Sequence, residues 1–545
     1  HSSLHRSQMN PTIFHYPLLL LFFLPSVLPI SPPKEAPPQN FLRCLLRGAG
    51  AGSPIPGDQL LTQAGDSSRF ASILQTRAQD LKLLTPATRK PVAILTPTRE
   101  SHVQTAVLCS RTHALELRVR SGGHDMEGLS YAADAPFALL DLINLRSVDV
   151  DARAVTAWVQ AGAVIGELYH GIAGKTPAMG FPAGICPKVG VGGHISGGGY
   201  GYLVRKYGLA ADHVLDARLV DASGRIQDRK AMGEDLFWAI RGGGAASFGV
   251  ILSWKLELVP VPSAVTVFRV RRSPQQLALK LLHQWQTVAP ELDDDVTIRL
   301  TLNTANSTGG ITVQATFTGL FLGGTDRLLP LMQARFPELR LTKQDCIEMA
   351  WANSTVFHAG GFPLGQSIDV LLDRSPLQKA FFKTKSDYVR RPIAEAALEV
   401  ALRKLYEMET GAAEIRMTPF GGKMKEIPAT ATPYPNRAGT LYQIQYLLQW
   451  QEGGAAAFRR HTAWMRGLYA YMAPFVSKNP RAAYVNYRDL ELGANRGNGS
   501  GGYAQGSVWG SKYFGVNFRR LAAVKMRVDP GNFFRNEQSI PPALI

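Results

Sequence analysis

Beyond residue 40 the chain carries two apolar rhythms in succession. Short apolar runs predict strands at 91–95, 115–119, 138–142 and 157–161. Between the first two, Val103, Val107 and Leu108 recur at helical spacing, and Ser101 is placed to cap a helix running to Ala114. Residues 166–172 also read as helical. A Val-Pro-Val-Pro-Ser run at 259–263 breaks this pattern and predicts a domain boundary. From Thr266 to Asn479 the strand-like runs lengthen, as at 296–302 and 311–317, with helical stretches such as 275–288 between them. That order predicts an antiparallel sheet backed by helices. At 441–447 a period of two sets Tyr442, Ile444 and Tyr446 on one face, and Leu441, Gln443, Gln445 and Leu447 on the other. No internal repeat interrupts the sequence.

The first forty residues follow neither rhythm. Residues 16–30 are apolar, short for a bilayer and broken by prolines, as in the core of a secretory signal. We therefore expect a signal peptide within 1–30, with Met9 a candidate start, and a proline-rich linker at 31–40. No later run is long enough to span a membrane, so a soluble mature protein is expected. A chain of 545 residues, 45% of them hydrophobic, exceeds one compact core and predicts two domains. The net charge of +17 attracts polyanions. Its basic residues are scattered and match no nucleic-acid module, which leaves a soluble basic exterior or retention on acidic cell-wall polysaccharide. Secretion also gives meaning to the sequons at Asn306, Asn353 and Asn498.

Candidate chemistry lies in two glycine-rich segments. One, at 118–125, ends in Ser121, Gly122, Gly123, His124 and Asp125. The other, at 180–201, contains Cys186, Val189 and a run of seven further glycines. Low side-chain bulk lets backbone N–H groups approach a phosphate, and each segment adds one nucleophilic side chain. Neither follows the GxGxxG spacing of a nicotinamide site. Further motifs follow at 235–244, 247–251, 484–489, 513–518 and 528–542. In this order they resemble the berberine bridge enzyme-like branch of the vanillyl-alcohol oxidase flavoproteins, from about Phe41 to the end.

The resemblance implies an α+β, two-domain PCMH-type FAD-binding fold. The FAD-binding domain would span 41–260, an α+β substrate domain 261–482, and a segment at 483–545 would return to the first domain. FAD would be attached twice, through His124 and Cys186. Its remaining contacts would come from Arg120, Ser121, Gly122, Gly123, Asp125, Val189, Gly192, Gly193, His194, Ser196, Gly197, Gly198, Gly199, Gly201, Val250, Tyr513 and Asn517. Cys44 and Cys109 match a disulfide of the family, which leaves Cys346 as a buried free thiol. Tyr487 matches the family's catalytic base, and Tyr200 stands near the flavin edge to activate it or to touch substrate. A phenol with a pKa of ~10 needs a cation or hydrogen bond to act as a base at neutral pH. Gln443 and Gln445 face that site, and Gln443 replaces a charged residue of some relatives, so it supplies a hydrogen bond without charge. Met126 replaces a frequent tyrosine and cannot donate a hydrogen bond. Val189 matches a gate for oxygen, where valine leaves room.

The expected protein is a secreted, monomeric FAD oxidase of the cell wall. It would convert the anomeric hydroxyl of a sugar or oligosaccharide to a lactone, with oxygen reduced to hydrogen peroxide. Two alternatives stay open: an oxidase of monolignol-type alcohols or other specialised metabolites, and a secreted flavin-binding protein with little turnover. Alkaloid ring closure fits less well, because no carboxylate stands on the Gln443–Gln445 strand.

Overall fold

The computed structural model describes residues 39–273, 275–307, 310–376, 378–407, 412–495 and 502–543. The expected leader, nearly all of the linker and the Asn498 sequon lie outside these residues.

The N-terminal rhythm builds two small sheets. In the first, Ala93–Leu95 and Glu116–Arg120 both pair in parallel with Phe137–Asp141. A parallel arrangement needs a covering crossover, and the Glu100–Thr112 helix supplies it, burying Val103, Ala106 and Val107. Ser101 does not cap this helix. Arg99 holds the cap position without a side-chain hydrogen bond, and the Ser101 hydroxyl meets that of Ser53 at 2.7 Å. The Glu100 carboxylate in the first turn offsets the unpaired N–H groups instead. The second sheet has five antiparallel strands, ordered Val148–Asp151, Thr156–Gln160, Val250–Glu257, Val214–Val220 and Ile226–Gln227. One core joins both sheets to Trp509, Tyr513, Phe514 and Phe518 of the C-terminal segment. The proline-rich run near 260 is no plain break, since Val259–Pro260 pairs with Met179–Gly180.

The second rhythm builds a seven-stranded antiparallel sheet. Its order is Cys346–Met349, Val265–Arg272, Gly310–Phe321, Val296–Ser307, Ala412–Pro419, Tyr442–Trp450 and Phe381–Val389. Helices Gln275–Val288, Thr325–Arg335, Glu395–Tyr406 and Ala455–Met472 pack on one face, where they share a core with Tyr442, Ile444 and Tyr446. The period of two holds from Tyr442 onward, with Gln443 and Gln445 turned toward the N-terminal sheets, whereas Leu441 precedes the strand and packs on the helix-side core with Tyr442.

Buried ions close the seam between the two parts. Lys383 Nζ lies 2.6 Å from Glu127 and 2.7 Å from Asp489, and Lys385 Nζ lies 2.7 Å from the other Asp489 oxygen. All four side chains are under a tenth exposed. Each of the four has a second partner, since Glu127 also holds Lys82 at 2.9 Å and Lys385 also holds Glu491 at 2.7 Å, so every charge in the seam is paired twice.

Cys44 and Cys109 form a disulfide with a Cα–Cα distance of 5.8 Å. It pins the Gln39–Arg47 helix, whose Phe41 and Leu45 are fully buried, to the crossover helix. Cys346 is a free thiol on an edge strand and is half-buried rather than buried. Asn353 is exposed on the Trp351–Ala359 helix, and Asn306 lies on the Val296–Ser307 strand. Among the described residues no helix is long and apolar enough to cross a membrane.

Candidate active site

The two glycine-rich loops meet backbone to backbone. A Cβ on Gly122 would lie 2.2 Å from the Gly190 nitrogen, and a Cβ on Gly190 would lie 2.2 Å from the Gly122 nitrogen. Only two glycines allow that approach. It brings the loop after Glu116–Arg120, with His124, against the loop before Val191–Ser196, with Cys186 and Val189. His124 and Cys186 then line one cavity of about 450 Å³. Burial first, then the nearby Arg77 charge, pushes the His124 pKa down to about 4, so the ring is neutral at pH 7. Burial pushes the Cys186 thiol up. His194, on the same wall, is also held near 4 by burial, and its Nε2 accepts the Gly184 N–H at 2.9 Å.

The opposite wall carries a chain of hydroxyls. Tyr200 and Tyr487 oxygens lie 2.8 Å apart, and the Tyr200 hydroxyl donates to Gln443 Oε1 at 2.6 Å. Gln443 therefore touches Tyr200 rather than Tyr487, through an oxygen that can only accept. Burial, then the neighbouring Tyr487, raises the Tyr200 pKa well above its usual value. Tyr487 owes its place to its flanks. The Asn486 amide donates to the His194 carbonyl at 3.0 Å, and Arg488 bonds Asp125 at 2.8 Å. The base candidate is thereby tied to the His124 loop. Asp125 also accepts the Glu127 and Leu129 N–H groups at 3.0 Å, which fixes the turn.

Two family models match the chain, an FAD binding domain over residues 91–229 and a berberine and berberine-like domain over 483–541. Tetrahydroberberine oxidase of Berberis wilsoniae is 48% identical over 98% of this chain and 99% of its own. The chain belongs to the berberine bridge enzyme-like family.

Monolignol oxidoreductase AtBBE-like 13 of Arabidopsis thaliana is 48% identical, again over 98% of this chain and 99% of its own. Among solved structures, the grass pollen allergen Phl p 4, with glucose dehydrogenase activity, superposes with a TM-score of 0.86 at 44% identity, covering 93% of this chain and all of that one. Its isoleucine-to-valine variant is a glucose oxidase, as is the double variant with an added asparagine-to-histidine change, whereas the asparagine-to-histidine change alone leaves a glucose dehydrogenase. Berberine bridge enzyme from Eschscholzia californica matches with a TM-score of 0.86 at 39% identity, over 92% of this chain and 99% of that one. The protein is thus an FAD-dependent oxidoreductase with a PCMH-type fold.

The residues present fit FAD. A Cβ on Gly193 or on Gly244 would meet nothing within 4 Å, so bare backbone faces the open cavity at both. The volume lies within the range usual for cofactor and ligand sites. Ser121, Gly122, Gly123, Asp125, Met126, Val189, Gly192, Ser196 and Gly197 share the wall with the residues named above.

Several residues expected at the cofactor stand behind that wall. Arg120 is fully buried and holds Asp141 at 2.6 Å and the Ile73 carbonyl at 2.9 Å, so it shapes the His124 loop from beneath. Gly198, Gly199 and Gly201 let chain segments close; a Cβ on Gly201 would lie 2.0 Å from the Ala183 carbonyl oxygen. Val250 is buried between Gly249 and Ile251, which do line the cavity. Tyr513 accepts the Asp489 N–H at 3.0 Å, and Asn517 donates to the Ala429 carbonyl at 2.7 Å, so both brace segments rather than face the cavity. Gln443 likewise acts through Tyr200, whereas Gln445 reaches the wall.

The sequence reading missed Arg299, Phe382, Arg416 and Gln449 on the sheet side, and Gly244 to Ala246 on the other. Arg416 pairs with Glu414. Arg299 donates to the Thr418 hydroxyl at 3.0 Å and, among the described residues, has no carboxylate partner.

Replacing Gly190 with alanine tests the loop contact. The new Cβ would meet backbone, which cannot swing aside, so the loops must separate. We expect purified Gly190→Ala to carry severalfold less flavin per polypeptide, read from the ratio of flavin to protein absorbance. A full flavin load at unchanged unfolding temperature would contradict the close approach.

Proposed function

We propose that the protein is a secreted oxidase that holds FAD through both His124 and Cys186 and oxidises the anomeric hydroxyl of a sugar or oligosaccharide to a lactone. The observation that carries this reading is the Tyr200–Tyr487 hydroxyl pair on the cavity wall, beside Arg299, Arg416, Gln445 and Gln449. Phenols and amides in that number suit a substrate with many hydroxyls. Phe382 and Leu447 add two apolar surfaces. They give the second reading, a monolignol-type alcohol, its support, together with the 48% identical monolignol oxidoreductase.

FAD, when bound, supplies a two-electron acceptor for hydride and passes both electrons on to oxygen. The rest falls to this chain. Tyr487 takes the hydroxyl proton of the substrate as the carbon gives up its hydride, and Tyr200 fixes the phenol's position. Oxygen accepts two electrons and two protons to become hydrogen peroxide, which balances the step. A neutral His124 ring would keep a lone pair with which to hold the cofactor. Cys186, on the same cavity, supplies the sulfur.

Oxygen as acceptor draws support from Val189, because in Phl p 4 the isoleucine-to-valine change alone gives a glucose oxidase and the asparagine-to-histidine change alone does not. The two positions exchanged in Phl p 4 are five apart and become valine and histidine; Val189 and His194 show the same residues at the same spacing. The leader and net charge of +17 favour export and retention at an acidic wall. The exposed Asn353 sequon is open to glycosylation. An intact hydroxyl pair speaks against a flavin carrier with little turnover.

Double attachment predicts that flavin stays with the polypeptide after acid precipitation. His124→Ala or Cys186→Ala alone should keep it bound, and the double variant should release it. Free flavin from the wild type would refute the attachment.

Anaerobic flavin bleaching with cello-, xylo- and galacturono-oligosaccharides beside coniferyl alcohol identifies the substrate class. With the best substrate, Tyr487→Phe should slow bleaching at least ~10²-fold while FAD stays bound. Bleaching at the wild-type rate would move the base elsewhere.

Val189→Leu fills the oxygen gate with one more carbon. Stopped-flow mixing of reduced enzyme with air-saturated buffer should show reoxidation slowed severalfold or more, with substrate-driven reduction unchanged. A wild type as slow as the leucine variant would make the protein a dehydrogenase.

A further inference from the structure

Gln443 is fully buried, and its amide is oriented without ambiguity. Its Nε2 donates to the Ile444 carbonyl at 3.0 Å, and its Oε1 lies 2.6 Å from the Tyr200 oxygen. Flipping the amide would set Oε1 against the Ile444 carbonyl, two acceptors facing each other. The oxygen therefore faces Tyr200 and can only accept. Tyr200 has one proton, and it points at Gln443. The 2.8 Å contact between the phenols must then run from the Tyr487 hydroxyl to the Tyr200 oxygen.

We propose that Gln443 is a positioning residue that keeps the Tyr200 proton turned away from Tyr487 and so sets the pH above which the tyrosine pair can accept a substrate proton. This rests on Tyr487 as the base. When the pair loses a proton, the charge left on Tyr487 needs a donor. Tyr200 can become that donor only by swinging its hydroxyl off Gln443. The swing strands Oε1, buried and without its strongest partner, and such an acceptor is costly. Gln443 thus opposes ionisation of the pair, although an amide nearby would be expected to help it.

Other groups face the pair from every side. Tyr388 on Phe381–Val389 is bonded to Tyr434 at 2.9 Å, and both are held protonated by burial. Tyr484 accepts the Gly199 N–H at 2.9 Å, and burial raises its pKa too. Arg299 comes from Val296–Ser307 and Arg416 from Ala412–Pro419. The flavin side contributes neutral His124 and His194, Cys186 and the Asp125–Arg488 pair. These groups are common to all variants of residue 443. They set where the pair titrates, and residue 443 sets the difference between variants.

The test uses the full-length holoenzyme with Gln443→Met, which removes the acceptor at similar volume, and Gln443→Glu, which keeps it and adds negative charge. Two midpoints are read. One is the near-ultraviolet tyrosinate difference between each protein and the same protein carrying Tyr487→Phe. The other is the rise of anaerobic flavin reduction with pH. We expect Gln443→Met to move both toward acid by about one to two pH units, the scale set by one unpaired buried acceptor. Gln443→Glu should move both toward alkali. A packing role alone would lower the unfolding temperature without opposite shifts. Midpoints that stay put, or that move the same way in both variants, would overturn the proposal. If either variant does not fold, the C–O stretch of isotope-labelled tyrosine in the wild type, assigned by Tyr200→Phe, decides the matter: a Tyr200 that donates to Tyr487 overturns it. Loss of the Tyr487 base reading would show differently, as shifted tyrosinate titrations beside undiminished flavin reduction in Tyr487→Phe.

Discussion

Everything at this site depends on two backbones passing with no side chain between them. At Gly122 and Gly190 one added carbon would sit 2.2 Å from the facing nitrogen. The approach decides that His124 and Cys186, 62 residues apart in sequence, share one cavity. Arg120 holds the first loop from below through Asp141, and the Ala163–Val191 and Ile165–Val189 backbone bonds hold the second. From the substrate side, Asp373 and the Ser375 carbonyl hold Lys188 of the second loop at 2.9 and 2.8 Å. The close approach itself is thus made by the N-terminal scaffold, and the substrate scaffold braces it from outside through Asp373 and Ser375.

The meeting itself is polar. The C-terminal segment threads between the scaffolds, with Asn486 bonded to the His194 loop, Arg488 to Asp125, and Asp489 to Lys383 and Lys385 of the large sheet. Asn486 on one side and Arg488 and Asp489 on the other fix the residue between them, Tyr487. Its aromatic neighbours Tyr484 and Tyr200 pack at ring distances of 5.1 and 6.4 Å and leave it little freedom to turn. The hydroxyl geometry on which proton transfer depends is thus a product of charges well outside the reacting atoms.

Much of this was legible in the chain. The glycine loops could be read because their chemistry is local, with a nucleophile and bare backbone inside a dozen residues. The 442–447 strand could be read because a period of two needs no knowledge of its neighbours. Arg299, Arg416 and Phe382 could not be found that way. Each lies on a different strand, and they converge only because Val296–Ser307, Ala412–Pro419, Tyr442–Trp450 and Phe381–Val389 adjoin in an order unlike their order in sequence. The same limit explains Gln443. Its face was predicted correctly, but its partner, Tyr200, comes from the other scaffold. Tyr513 and Asn517 show the converse: strong motif residues whose work is to brace a segment. Ser101 shows how a residue suited to cap a helix is displaced when a neighbour one position earlier can start it.

The buried ion network at the seam has a consequence for how molecules enter and leave. Lys383 cannot withdraw from Glu127 and Asp489 without giving up both of its buried ion pairs. The large sheet is accordingly tied to the loop after His124 and to the C-terminal segment, and these ties oppose a hinged opening of the two parts. Such ties favour selection by the shape and polarity of the cavity wall over selection by domain closure.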